Sequence, residues 1–171
     1  PRRKFTESHG PYAREIMAAK PMAYWRMGEL AGASVADSTG KGHRAKLEPG
    51  FALHLEGTPG DGFGNGSIVN RAVQFAGGKL LTDLTLPKTG TIEFWFWNGL
   101  PASARKLSAI LCSLGADTLQ LLPAEKSDST VLKFSDGPRG KTILPLKTWH
   151  HIAIVRQDGS ATVWLNGTKE L

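Results

Sequence analysis

The clearest alternation of apolar and polar positions lies over residues 149–167, WHHIAIVRQDGSATVWLNG. A β-branched run (Ile152, Ala153, Ile154, Val155) is followed by Gln157-Asp158-Gly159-Ser160, and a second run over 161–165 ends at Asn166-Gly167. Asp-Gly between two β-rich runs predicts a tight hairpin, because these residues tolerate the positive φ that such turns require. Asn166-Gly167 repeats the signal and turns the chain again. The first run is apolar on both faces, which predicts a central strand in a sheet covered on both sides. A second dense strand is expected over 91–97, where Ile92, Phe94 and Phe96 alternate with Glu93, Trp95 and Trp97. Bulk on both of its faces predicts a central position there too.

Elsewhere the pattern is shorter-ranged. Gly10-Pro11-Tyr12 starts a short helix, with Pro11 at the first helical position, Tyr12, Ile16 and Ala19 on one face, and Pro21 as its stop. Strands are expected over 23–27 (Ala23, Trp25 and Met27 on one face), 45–47, 51–55, 72–75, 79–84, 107–114, 118–122, 131–134 and 143–144. About ten short strands with turns every 8–12 residues form the pattern of an all-β sandwich or barrel. No repeat of about 20–50 residues is visible, which disfavours a propeller or solenoid.

Composition narrows this further. A chain of 171 residues is one domain by length and needs neither disulfide nor metal to fold. The single cysteine, Cys112, has no internal disulfide partner and sits in an apolar run, as a buried thiol does. The net charge is +6, half of it from Arg2-Arg3-Lys4, so residues 1–11 are expected to form a flexible basic arm. The other basic residues are scattered, without the stripe of a nucleic-acid module, so no nucleic-acid partner is expected. No apolar run approaches the roughly 18 residues of a membrane span, and no apolar leader segment follows Pro1. The chain reads as one domain of something longer.

Four segments fit one known pattern. Tyr24-Trp25-Arg26-Met27-Gly28-Glu29, followed by Asp37-Ser38-Thr39-Gly40, resembles the N-terminal signature of bacterial laminin-G-like domains of the concanavalin A-like jelly-roll superfamily. Arg71-Ala72-Val73-Gln74-Phe75-Ala76-Gly77 resembles that family's second landmark, and residues 91–96 and 149–167 resemble its central strand motifs. The resemblance covers residues 12–171. It implies a two-sheet antiparallel jelly-roll sandwich with a concave side. It also implies a non-catalytic module of a larger exported bacterial protein, recognising carbohydrate or protein in an extracellular, periplasmic or cell-envelope setting. Family members usually continue past the Asn-Gly turn with a closing strand, whereas this sequence stops at Leu171. Either the N-terminal segment completes the sheet or an edge is left open.

The superfamily includes glycoside hydrolases, which need two carboxylates flanking the scissile bond. No Asp or Glu lies two residues from another on a strand, leaving only carboxylates from different strands as a route to such a pair. No catalytic residue is therefore assigned. His150 and His151 are adjacent and point to opposite faces of a strand, so they do not share a metal ion; His151 and Trp149 are expected as packing residues. Residues 60–66 are not a phosphate loop, since no Gly-Lys-Ser/Thr follows. As a calcium loop they fail at Phe63 and Ala72, where ligands belong. The resemblance leaves rim-loop calcium at Asp37 or Asp61 as an alternative to ordinary turn residues bonded to their own backbone. Otherwise no cofactor is expected. Asn65-Gly66-Ser67 and Asn166-Gly167-Thr168 match glycosylation acceptors, but turn chemistry explains both.

Sugar binding needs an exposed aromatic platform with polar partners. Trp97 and Asn98, at the end of the dense strand, are the leading candidates, with Tyr24 and Trp164 as further candidates. The competing expectation is that all five tryptophans serve packing, in a protein-interaction or spacer domain without a small ligand.

Overall fold

The computed structural model describes residues 10–64, 69–104 and 109–171. Apart from Gly10 and Pro11, the expected basic arm lies outside the described residues, as does the first of the two glycosylation-like triplets. The protein is mostly β, with several antiparallel sheets and one short helix. Its contacts divide into two compact units, Pro1–Thr85 and Leu86–Leu171. No helix among the described residues is long and apolar enough to cross a membrane.

In the first unit, α1 (Pro11–Ala18) begins as expected with Pro11 in its first turn, and the Tyr12 N–H donates to Gly62 O at 2.8 Å. Its buried stripe is centred on Ala13, with Tyr12, Ile16 and Met17 half-buried. Ala19, expected on that face, is exposed. The strands β1 (Ser34–Val35), β2 (Ala45–Leu47) and β5 (Leu80–Thr82) form one sheet in the order β1-β2-β5. A second sheet pairs β3 (Phe51–Glu56) with β4 (Arg71–Phe75). Val35, Ala45 and Leu47 form the core, with Trp25, Phe51, Leu53, Val73 and Leu80 packed around them. Gly50, at φ +101°, joins β2 to β3, and a Cβ there would lie 2.5 Å from the Gly78 backbone nitrogen. Only glycine admits that close approach.

The strand expected over 23–27 is absent. Met27 adopts φ +60°, which breaks an extended run, and Trp25 makes a single bridge to Asp37. The apolar spacing nevertheless had a cause, since Trp25 and Met27 both pack on the core. Trp25 Nε1 donates to His43 O at 2.5 Å. The short β1 pairing was not foreseen from the sequence.

The second unit holds two sheets around one core. Strands β6 (Gly90–Trp97), β10 (Trp149–Gln157), β11 (Ser160–Leu165) and β12 (Thr168–Lys169) run in the order β12-β11-β10-β6. Strands β7 (Ala109–Leu114), β8 (Asp117–Pro123) and β9 (Thr130–Phe134) form the other sheet. Leu119, Leu121 and Leu132 from the latter meet Ile152, Ile154 and Val163 from the former, all essentially without exposure. Each such side chain contributes roughly 1.5–3 kcal/mol relative to an exposed one. Cys112 is half-buried at the edge of this core, and burial pushes its thiol pKa up.

Both predicted turns form. Asp158 and Gly159 adopt φ +49° and +83°, and Asn166 and Gly167 +49° and +81°, the doubly positive geometry of tight hairpins. After the second turn β12 pairs with β11, and the Val163 N–H donates to Leu171 O at 2.9 Å. Strand β10 is central, as predicted, but only one of its faces is buried; Trp149, His151, Ala153 and Val155 on the other are half-buried, so the expected cover on both sides is not seen. Strand β6 is not central: among the described strands it pairs with β10 alone, so its two bulky faces mark one core face and one aromatic outer face. The strand expected over 143–144 reduces to one bridge between Thr130 and Leu144, which is fully buried.

Candidate functional site

Alternation along β6 and β10 separates the two faces of their ladder. Phe96 lies opposite His150, Phe94 opposite Ile152 and Ile92 opposite Ile154 on the core side. The register then sets Trp97 opposite Trp149, Trp95 opposite His151 and Glu93 opposite Ala153 on the outer side. Ala153 also faces Trp164 on β11, and Trp164 faces Lys169 on β12. Four of the five tryptophans, Trp95, Trp97, Trp149 and Trp164, therefore share one face of one sheet.

The rings make contact along this face. Trp97 and Trp149 have centroids 5.7 Å apart, and Trp95 and His151 5.0 Å. Trp97 is 48% exposed and Trp164 37%, while Trp95 and Trp149 are half-buried. With four residues along the strand and two strands across, the backbones of Trp97 and Trp164 lie about 17 Å apart. His151 stands between them, and Glu93 lies two strands across from Trp164 in the same cross-strand row. His151 Nε2 is 3.5 Å from Glu93 Oε2, but the geometry leaves that buried nitrogen without a hydrogen-bond partner. Glu93 is the one carboxylate on this face among the described residues. An apolar platform of indoles beside an exposed carboxylate can stack a ring and accept hydrogen bonds from it.

The four residues nominated from sequence divide. Trp97 and Trp164 both lie on the exposed aromatic face. Asn98 is fully buried, and its Nδ2 donates to Leu144 O and Pro145 O at 3.2 and 3.3 Å, so it secures the loop before β10 instead of facing a ligand. Tyr24 belongs to the first unit, where its N–H donates to Asp37 Oδ1 at 3.0 Å.

Asp37 holds its loop in the same way. Its oxygens accept from the backbone N–H groups of Tyr24, Thr39 and His43 and from the Thr39 hydroxyl. Burial pushes its pKa up, but these donors outweigh burial and lower it to about 2. A carboxylate so engaged is the turn residue of the alternative reading, not an open calcium ligand. Asp61 lies in a turn and is exposed. Among the described residues, no three His, Cys, Asp or Glu side chains are grouped to hold a metal.

Sequence reasoning missed Glu93, Ala153 and His151 as site neighbours. Period-2 alternation does put Glu93 with Trp95 and Trp97, and His151 with Trp149 and Ala153. The register that sets these two rows side by side was the missing piece. Searches against protein-family models, curated proteins and solved structures each found no match to this chain.

Proposed function

We propose that the chain is a laminin-G-like jelly-roll module of an exported bacterial protein, and that it binds carbohydrate non-catalytically on the outer face of the β12-β11-β10-β6 sheet. One observation carries this reading. Two exposed tryptophans, Trp97 and Trp164, share one sheet face with the exposed Glu93 and two further tryptophans. Indole faces stack on the C–H faces of sugar rings, and a carboxylate accepts from their hydroxyls. That Glu93 is the one carboxylate on this face among the described residues supports binding without hydrolysis, because glycoside cleavage of the usual kind uses two. The two sheets sharing one core and the paired Asx-Gly hairpins support the jelly-roll assignment.

A glycan array followed by tryptophan-fluorescence titration tests the function. The expected result is saccharide binding that Trp97→Ala and Trp164→Ala each weaken at least tenfold, with thermal melting unchanged. Absence of any glycan hit overturns it. A second reading, a protein-docking module, is favoured by β6 pairing with β10 alone among the described strands, since a sheet edge templates a partner strand. Concentration-dependent association in sedimentation, without a glycan hit, would support that reading instead.

A further inference from the structure

We infer that the outer face is selective for neutral saccharides, with one sugar ring seated over Ala153 and its hydroxyl edge against Glu93. The inference rests on the carbohydrate reading above and specifies where the ring sits and what charge it carries.

The argument begins with one cross-strand row. Glu93, Ala153, Trp164 and Lys169 come from four successive strands and lie side by side on the outer face. Three of them are long side chains, and the second is a methyl group. The face therefore steps down at Ala153, between Trp164 on one side and Glu93 on the other. Along β10 the step is bounded by His151 and Val155, both half-buried. The backbones of Glu93 and Trp164 are about 10 Å apart across this step. That width admits one pyranose ring, but leaves no room for a large side chain at 153 if the ring is to enter.

The walls of the step differ in chemistry. Trp164 is 37% exposed and offers an indole to the apolar C–H face of a ring. Glu93 offers carboxylate oxygens, with Oε2 held beside His151 Nε2 at 3.5 Å. Hydroxyl groups donate to such an acceptor in short, charge-assisted hydrogen bonds. A sugar carboxylate or sulfate in the same place would set like charges together in a partly desolvated site, which disfavours binding. Lys169 stands beyond Trp164, outside the step. The row thus favours a neutral ring at its centre.

The test uses the full chain and two probe sets: a ladder of neutral gluco- and manno-oligosaccharides, and a matched ladder of oligouronates. Binding is read by tryptophan fluorescence and calorimetry, with melting curves for every variant. The wild type is expected to bind the neutral ladder and to bind the uronates at least tenfold more weakly. Glu93→Gln is expected to lose about tenfold for the neutral ladder, the effect of replacing a charged hydrogen-bond acceptor with a neutral one. It should also narrow the discrimination against uronates. Ala153→Leu is expected to abolish neutral binding while Ala153→Ser retains it, which separates filling of the step from loss of folding. Neutral binding that Trp97→Ala removes but Glu93→Gln and Ala153→Leu leave intact overturns this inference and spares the carbohydrate reading. A preference for uronates overturns it too. Binding to neither ladder, by a folded wild type, overturns this inference, and the carbohydrate reading falls with it only if the glycan array is also empty.

Discussion

His150 and His151 are neighbours in the chain and of one residue type, yet they belong to opposite faces of β10 and do different work. His150 is 2% exposed. Its Nε2 donates to Pro145 O at 3.2 Å, its Nδ1 accepts from Asn166 Nδ2, and its ring lies 5.4 Å from that of Phe96. His151 lies among Trp95 and Glu93 on the outer face, with Nε2 lacking a hydrogen-bond partner. The same division holds for carboxylates and amides. Asp37 and Asn98 use their polar atoms to hold backbone, whereas Glu93 is exposed, with Oε2 3.5 Å from the side chain of His151. Engaged polar groups stabilise local structure. Exposed ones, set among aromatics, are the groups through which binding can occur.

The contrast breaks most visibly in the core. Ile154→Ala removes a fully buried side chain and is expected to destabilise the protein by about 2–5 kcal/mol in urea unfolding. Val155→Ala, next in the chain but on the outer face, is expected to cost under about 1 kcal/mol. A similar cost for both would abolish the distinction between the faces. Asn98→Ala comes next. It leaves the carbonyls of Leu144 and Pro145 without their amide donor, at an expected cost of about 1–3 kcal/mol. Saccharide affinity of the folded variant should be unchanged; a loss comparable to that of Trp97→Ala would return Asn98 to the binding site.

The smallest effect concerns the two carboxylates. Because the pKa of Asp37 in the folded chain lies near 2, below its ordinary 3.8, it contributes stability that is present above about pH 4. That contribution is lost as pH falls towards 2, where the folded form also takes up the proton. The stability gap between the wild type and Asp37→Asn should therefore shrink across that window. Glu93→Gln at neutral pH should change stability by no more than about 0.5 kcal/mol. Urea midpoints measured from pH 2 to 7 check both statements.

Much of the fold was legible in the sequence because its causes are local. The Asp158-Gly159 and Asn166-Gly167 turns depend on residues that accept positive φ, and the alternation in β6 and β10 depends on the pleat of the strand. Where local pattern failed, a distant partner had intervened. The apolar spacing of Ala23, Trp25 and Met27 resembles a strand, but the carboxylate of Asp37 takes the Tyr24 N–H and the chain bends at Met27. In the sequence, Trp97-Asn98 reads as an aromatic with its amide partner. The amide instead reaches a loop 46 and 47 residues away.

The sequence by itself determined the all-β class, the two hairpin turns, the central place of β10 and the opposed faces of its two histidines. These follow from backbone dihedrals and a two-residue period, which act within a few positions. Tertiary structure alone decided that Trp164 joins the face of Trp97 and Glu93, with Ala153 low between Glu93 and Trp164. That arrangement is a matter of register between strands far apart in the chain, and a shift of one residue would turn every one of these side chains to the other face.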